Sequence, residues 1–171
     1  MRTIPILSRR EAEKPSSGVA EVFFATVTHP ETSDVIRLVV DGVDYVLNGD
    51  TFHKSAFELD LLMDSDRPPS APFRFPNVDR TAIAKLRLVN GPCRVSFEVY
   101  SSAYWDLTQD PRTVKPGLTP APIYTARSLF LTEVSADDVA VSGTLRSWDY
   151  TQESWPNKLA TKALTPGVYA R

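Results

Sequence analysis

The sequence predicts a mainly β fold, an antiparallel bent sheet or small β-barrel of about eight strands with one helix near residues 79-90 against one opening. Three observations predict it. Phe57, Leu59 and Leu61 alternate with Glu58 and Asp60, a period of two that gives a strand one buried and one wet face. Asp41-Gly42 and Asn48-Gly49 separate similar runs, and both dipeptides favour the positive backbone angles of tight hairpin turns. Helical spacing with both ends marked occurs over Val78, Ala82, Ile83, Leu86 and Val89, with Asn77 or Asp79 as cap and Gly91-Pro92 as stop.

The elements follow in chain order. Residues 1-18 read as an N-terminal arm or a short helix, since Ser8 and Glu11 have capping-box spacing and Pro15 would stop a helix begun there. From Glu21, EVFFATVT has apolar side chains of both parities: Val22 and Phe24 point one way, Phe23, Ala25 and Val27 the other. Such a strand is covered on both sides, by core on one and, in this reading, by a neighbouring subunit on the other. Residues 35-62 read as a three-stranded meander turning at Asp41-Gly42 and Asn48-Gly49. Its third strand changes phase near Lys54 to Ala56, and a bulge there would return Phe52 and Phe57 to a common face.

Next comes FELDLLMDSDRPPSAPFRFPNVDR, from Phe57 to Arg80. Proline has no amide donor and short polar side chains favour turns, so Asp64, Ser65, Asp66, Pro68 and Pro69 read as an acidic turn between two strands. Phe57, Leu59, Leu61, Phe73 and Phe75 are the expected inner set. In CRVSFEVY the inner set is Cys93, Val95, Phe97 and Val99, and the outer set Arg94, Ser96, Glu98 and Tyr100. Residues 101-122, with Pro111, Pro116, Pro120 and Pro122, form a long loop whose Tyr104, Trp105 and Leu107 argue against simple disorder. Two strands, about Ile123 to Val134 and Val139 to Trp148, make a last hairpin. The domain thus spans 19-150, and residues 151-171 form a C-terminal interaction tail with Trp155 and Tyr169 as anchors.

Composition narrows the function classes. A chain of 171 residues suits one domain with a real core. A net charge of −2 leaves no global basic excess to hold nucleic acid, and Arg94, Arg127 and Arg146, on one outer face, have acidic neighbours. Cys93 is the only cysteine, which precludes an intrachain disulfide and a cysteine-based metal cluster; it reads as a buried small side chain. No stretch approaches the apolar run needed to cross a bilayer, and the reading is of a soluble protein made in the cytoplasm without a membrane partner.

The search for chemistry yields no catalytic, cofactor or metal residues. His29, in Thr-His-Pro, and His53, on a strand edge, lack the partners of a triad or metal site. Asp60, Asp64 and Asp66 lack the glycine and distal glutamate of an EF-hand loop. There is no glycine-rich phosphate loop, and Ser142-Gly143 lies in a strand, where glycine marks a bulge or close packing. What remains are aromatic and apolar side chains on irregular segments: Tyr104, Trp105, Leu107, Trp148, Trp155 and Tyr169. These are the candidate subunit-interaction residues, with at least one intersubunit contact expected from the set, while each aromatic taken singly fits equally well folded back over its own barrel. A surface-carbohydrate-binding or assembly module that uses Trp105 or Trp155 is the alternative.

The succession EVFFATVTHP, RLVVDG, FELDLLMDSDRPPSAPFRFPNVDR, GPCRVSFEVY and VSGTLRS resembles a family of small phage tail proteins, a domain of unknown function related to the N-terminal domain of the minor tail protein L of lambda-like phages. Its most specific piece runs from Asp64 to Arg80, with Asp64, Asp66, Pro68, Pro69, Asn77, Asp79 and Arg80 as markers. The resemblance implies a virion structural protein of a siphophage tail tip or baseplate, forming a ring that joins the tail tube or distal tail ring to the central hub. The implied partners are the distal tail ring, central hub and tape measure proteins, with a homo-oligomer in which a trimer is favoured slightly over a hexamer. The chain departs from the family in its longer 101-122 loop and around Pro166-Gly167. It also lacks the cysteine-rich iron–sulfur region of protein L, so no cluster is implied.

Overall fold

The computed structural model describes residues 4–14, 16–59, 70–76, 91–137 and 139–147. The expected helix near 79-90, the acidic turn with Asp64, Asp66, Pro68 and Pro69, the markers Asn77, Asp79 and Arg80, and the tail after residue 147 lie outside the described residues.

The fold is mainly β. A short helix, α1 (Ile6–Ala12), precedes nine strands: β1 (Glu21–Thr28), β2 (Val35–Val39), β3 (Tyr45–Leu47), β4 (Asp50–Lys54), β5 (Glu58–Leu59), β6 (Ser70–Pro76), β7 (Cys93–Ser101), β8 (Tyr124–Ala136) and β9 (Ala140–Arg146). They form one sheet in the order β3-β4-β2-β1-β7-β8-β9-β6-β5. Its two ends do not pair among the described residues, so it is a bent open sheet and not a closed barrel. Among the described residues, all strand pairings are antiparallel except one.

That exception corrects the meander. β3 and β4 form the expected hairpin, with Asn48 (φ 53°) and Gly49 (φ 88°) in the left-handed region a two-residue turn needs. At Asp41-Gly42 the chain does not reverse into a hairpin, and β2 pairs in parallel with β4, Leu38 opposite His53 and Val39 opposite Lys54. The Asp41 carboxylate has other donors: the Gly42 amide (2.6 Å), the Tyr45 hydroxyl (2.6 Å) and the Arg112 guanidinium (2.5 Å). The phase change at Lys54 to Ala56 is likewise not absorbed by a bulge. β4 ends at Lys54, and Phe52 and Phe57 enter two different cores.

The first core shows how far the sheet bends. It gathers Ala25, Val27, Leu38, Phe57, Phe73, Phe75, Val95, Phe97, Leu131 and Leu145, among others. β6 lies three strands from β7, roughly 14 Å on a flat sheet at about 4.8 Å per strand. Yet the Phe73 and Phe97 ring centroids are 5.3 Å apart. Curvature has folded the sheet over its own face.

Bulges in β8 supply part of that curvature. Two register shifts fall along it, one opposite Val95–Phe97 and one between Thr132 and Ser135, where Glu133 has φ 56°. After each, the buried parity changes, so Leu129 and Leu131, and then Ala136, return to the same core as Ala126. The expected inner sets hold for Cys93, Val95, Phe97 and Val99 and for Phe57, Phe73 and Phe75, all buried. Gly143 marks close packing as expected, since a Cβ there would lie 2.9 Å from Leu131 Cδ1 and 3.0 Å from the Thr132 carbonyl.

At the N-terminus a helix forms, but Ser8 does not cap it. The helix begins two residues earlier with Pro5 at its N-cap, and the Ser8 hydroxyl is buried inside it without a hydrogen-bond partner.

Candidate functional site

The residues singled out for interaction centre on the segment between β7 and β8. Ser101 caps a single 3₁₀ turn, Ser102–Tyr104, through its hydroxyl to the Ala103 amide. The turn is tied to the chain before β1, since Ser102 N donates to the Ala20 carbonyl and Ser102 Oγ accepts from Ala20 N. The segment then folds back on itself. Asp106 N donates to the Thr113 carbonyl (3.0 Å) and Lys115 N to the Tyr104 carbonyl (2.9 Å), so Trp105 and Val114 face each other as a bridge. Asp106 closes its tip by accepting from the Thr108 side chain and amide, contacts that lower its carboxyl pKa. The Asp110–Pro111 peptide is cis.

The placement of Trp105 decides between the two readings that its sequence context leaves open. Trp105 has 0% exposure and Tyr104 4%. They lie in a second core on the opposite face of the sheet, with Val22, Phe24, Val39, Tyr45, Leu47, Phe52 and Tyr100. Phe24 is its centre, stacked on Trp105 at 5.4 Å and meeting Tyr45, Phe52 and Tyr100 edge-on at 5.0 to 5.6 Å. The second face of β1 is therefore covered by this chain's own loop and hairpin, not by a neighbouring subunit. Tyr100, expected to point outward, is buried for the same reason, and burial, with a hydrogen bond to Glu98, raises its phenol pKa. A fully enclosed indole also has no face to offer a sugar ring.

The loop is fastened by a polar clamp that local sequence patterns did not signal. Arg112 Nη1 donates to Asp41 Oδ2 (2.5 Å) and to the Tyr45 hydroxyl oxygen (2.6 Å), while that hydroxyl donates to Asp41. The guanidinium also lies 5.3 Å from the Tyr45 ring centroid. Burial and then the Asp41 hydrogen bond push the Tyr45 phenol up to about 12, and the hydrogen bond to Tyr45 raises the Arg112 pKa. The Arg112 backbone accepts from Val46 N and donates to the Asp44 carbonyl, covering the outer edge of β3.

Of the remaining candidates, Leu107 stands at the loop tip with 47% exposure, and Leu118 is also exposed beyond the Lys115 turn. Trp148, Trp155 and Tyr169 lie outside the described residues. His53 is exposed beside Asp44 (3.3 Å), whereas His29, expected as an ordinary surface or turn residue, is buried in its turn, its Nδ1 accepting from Glu31 N. Arg127 and Arg146 pair with Glu98 and Glu133, as their acidic neighbours suggested. Among the described residues no His, Cys, Asp and Glu group could hold a metal ion, and no helix is long and apolar enough to cross a membrane.

No family model matches the chain, and no curated protein matches it. Among solved structures, a chain from the virion of a native gene transfer agent (GTA) particle is similar over 91% of this chain, with TM-score 0.57 and 14% identity. This chain spans 49% of that one. At such identity the likeness is one of fold.

Proposed function

We propose that this chain is a non-enzymatic structural component of a virion, located at the tail tip or baseplate of a siphophage. It acts there as a ring-forming piece between the tail tube or distal tail ring and the central hub. The observation that carries the proposal is the fold shared with a virion chain over 91% of this sequence. The resemblance of the Asp64 to Arg80 pattern to small phage tail proteins supports the more specific location. The structure suits a part that works through shape. Its loop is bound down on both sides, and what it turns outward is a short rim with Leu107 and Leu118.

Gold-labelled antibody against the chain, imaged on purified virions, tests the proposal. Label at the distal end of the tail is the expected result. Absence from the particle, or label confined to the capsid, overturns it.

A further inference from the structure

Two surfaces that the other described residues leave open lie at opposite ends of β7. At one end, α1 sits over the Ser101 end of the strand, across a small cavity lined by Ser8, Glu11, Ala20 and Ser101. Outward it shows Ile6, 70% exposed, with Arg10 one turn later on the same face and Ile4 just before the helix. Arg10 makes no ion pair among the described residues, unlike Arg9, which pairs with Glu13. At the other end, a groove of about 410 Å³ is lined by Gly91, Pro92, Cys93, Leu131, Glu133 and Val134. Its floor is apolar, and Val134 and the Glu133 carboxylate are exposed at its rim. Nine strand residues separate the two ends, about 26 Å at roughly 3.3 Å per residue along the sheet, so one molecule's helix cannot fill its own groove.

We infer that the Ile6–Arg10 face of one copy docks into the Gly91–Val134 groove of the next, head to tail. This rests on the proposed ring-forming role and names the surface that would make the ring. An apolar side chain meets an apolar floor, and a guanidinium without an ion pair among the described residues meets the exposed rim carboxylate of Glu133, joining the pair that Glu133 already makes with Arg146. Because the halves are different patches of one chain, the contact is heterologous and repeats, closing where the rotation allows. Glu133 holds its carboxylate there from a left-handed backbone position, braced by Thr144 (3.0 Å) and Arg146 (2.7 Å).

The test is a disulfide trap. In a Cys93→Ala background, Ile6→Cys combined with Val134→Cys should give, on oxidation of the concentrated full chain, a ladder of dimer, trimer and larger species. Either cysteine alone should give nothing above dimer. In the unmodified background, Arg10→Glu should shift the sedimentation-velocity distribution several-fold toward monomer, and Glu133→Arg added to it should reverse that shift. A doubly substituted chain that stays monomeric, or single variants that dimerise as completely as the double one ladders, overturn the contact. Gold label at the tail tip together with no ladder removes this interface alone, whereas absence of the protein from particles removes the functional reading beneath it.

Discussion

Phe73 and Phe24 sit on opposite faces of the same sheet and are buried by different means. Phe73 reaches Phe97 because the sheet curls until strands that are not neighbours touch. Phe24 is covered by Tyr45, Phe52 and Trp105, delivered by a hairpin and a returning loop that a clamp at Asp41, Tyr45 and Arg112 holds in place. The first core is a property of strand pairing and bulges. The second depends on a few side chains far apart in sequence, so polar substitutions should open it while leaving the first intact.

The largest effect expected is on the aromatic core itself. Trp105→Ala should cost about 3–5 kcal/mol in urea unfolding, and Phe73→Ala in the curved core a similar amount. The comparison lies in their combinations. Trp105→Ala with Phe24→Ala should depart from additivity by about 0.5–3 kcal/mol because the rings stack, whereas Trp105→Ala with Phe73→Ala should add to within about 0.5 kcal/mol. Additivity in the stacked pair would undo the distinction between the cores.

Gly143→Ala probes the curved core without touching the loop. Its Cβ would overlap Leu131 and the Thr132 carbonyl, and a loss of about 1–3 kcal/mol is expected. Proteolysis at residues 106–118 should stay slow in the folded fraction of that variant.

Arg112→Ala should do the reverse. Removing the guanidinium strips Asp41 and Tyr45 of a partly buried donor, costing about 1–3 kcal/mol, and limited proteolysis should now cut at the loop first. Burial of Tyr45, and after it the Asp41 hydrogen bond, also predicts a pH dependence. The Tyr45 phenol pKa is raised in the fold to about 12, against about 10 in an unfolded chain. The folded state therefore holds that proton more tightly; the stabilisation is complete below about pH 10 and is lost as pH rises toward 12. Melting temperature against pH, with Tyr45→Phe reducing the alkaline fall and leaving the part that Tyr100, whose phenol pKa is also raised, contributes, checks the sign.

The smallest effect on stability belongs to the rim. Leu107→Ser should change unfolding free energy by no more than about 0.5 kcal/mol, while incorporation into particles, read by quantitative blotting of purified virions, falls. Normal incorporation would move the partner contacts away from the loop tip.

Much of the curved core was legible because its physics is local. Alternation in 93–99 and 70–76, and the left-handed demand of Asn48-Gly49, each determine a structure within a few residues. The closeness of Gly143 to its neighbours was also signalled by a glycine inside a strand. Other features were hidden because their causes are non-local. Asp41-Gly42 has the dipeptide of a hairpin turn, but its carboxylate is committed to Arg112, 71 positions away, and the parallel β2–β4 pair follows a crossover no short window can show. The bulges in β8 scramble its alternation, so neither was visible as a pattern. For Trp105, in a proline-rich loop, local pattern leaves an interface role and a place in the chain's own core equally open. The signal that could have placed it inside was the double-sided apolar pattern of β1, with Phe24 needing a cover on its second face.

The measurement that most directly tests the separation of core from contact surface uses Trp105 as the sole tryptophan, excited selectively over the tyrosines. With Trp148→Phe and Trp155→Phe in place, a blue-shifted emission, poorly quenched by acrylamide, is expected in the isolated chain, unchanged on assembly. A red-shifted, readily quenched Trp105 in the free chain that becomes shielded on assembly would contradict it, and would return this residue to the interface.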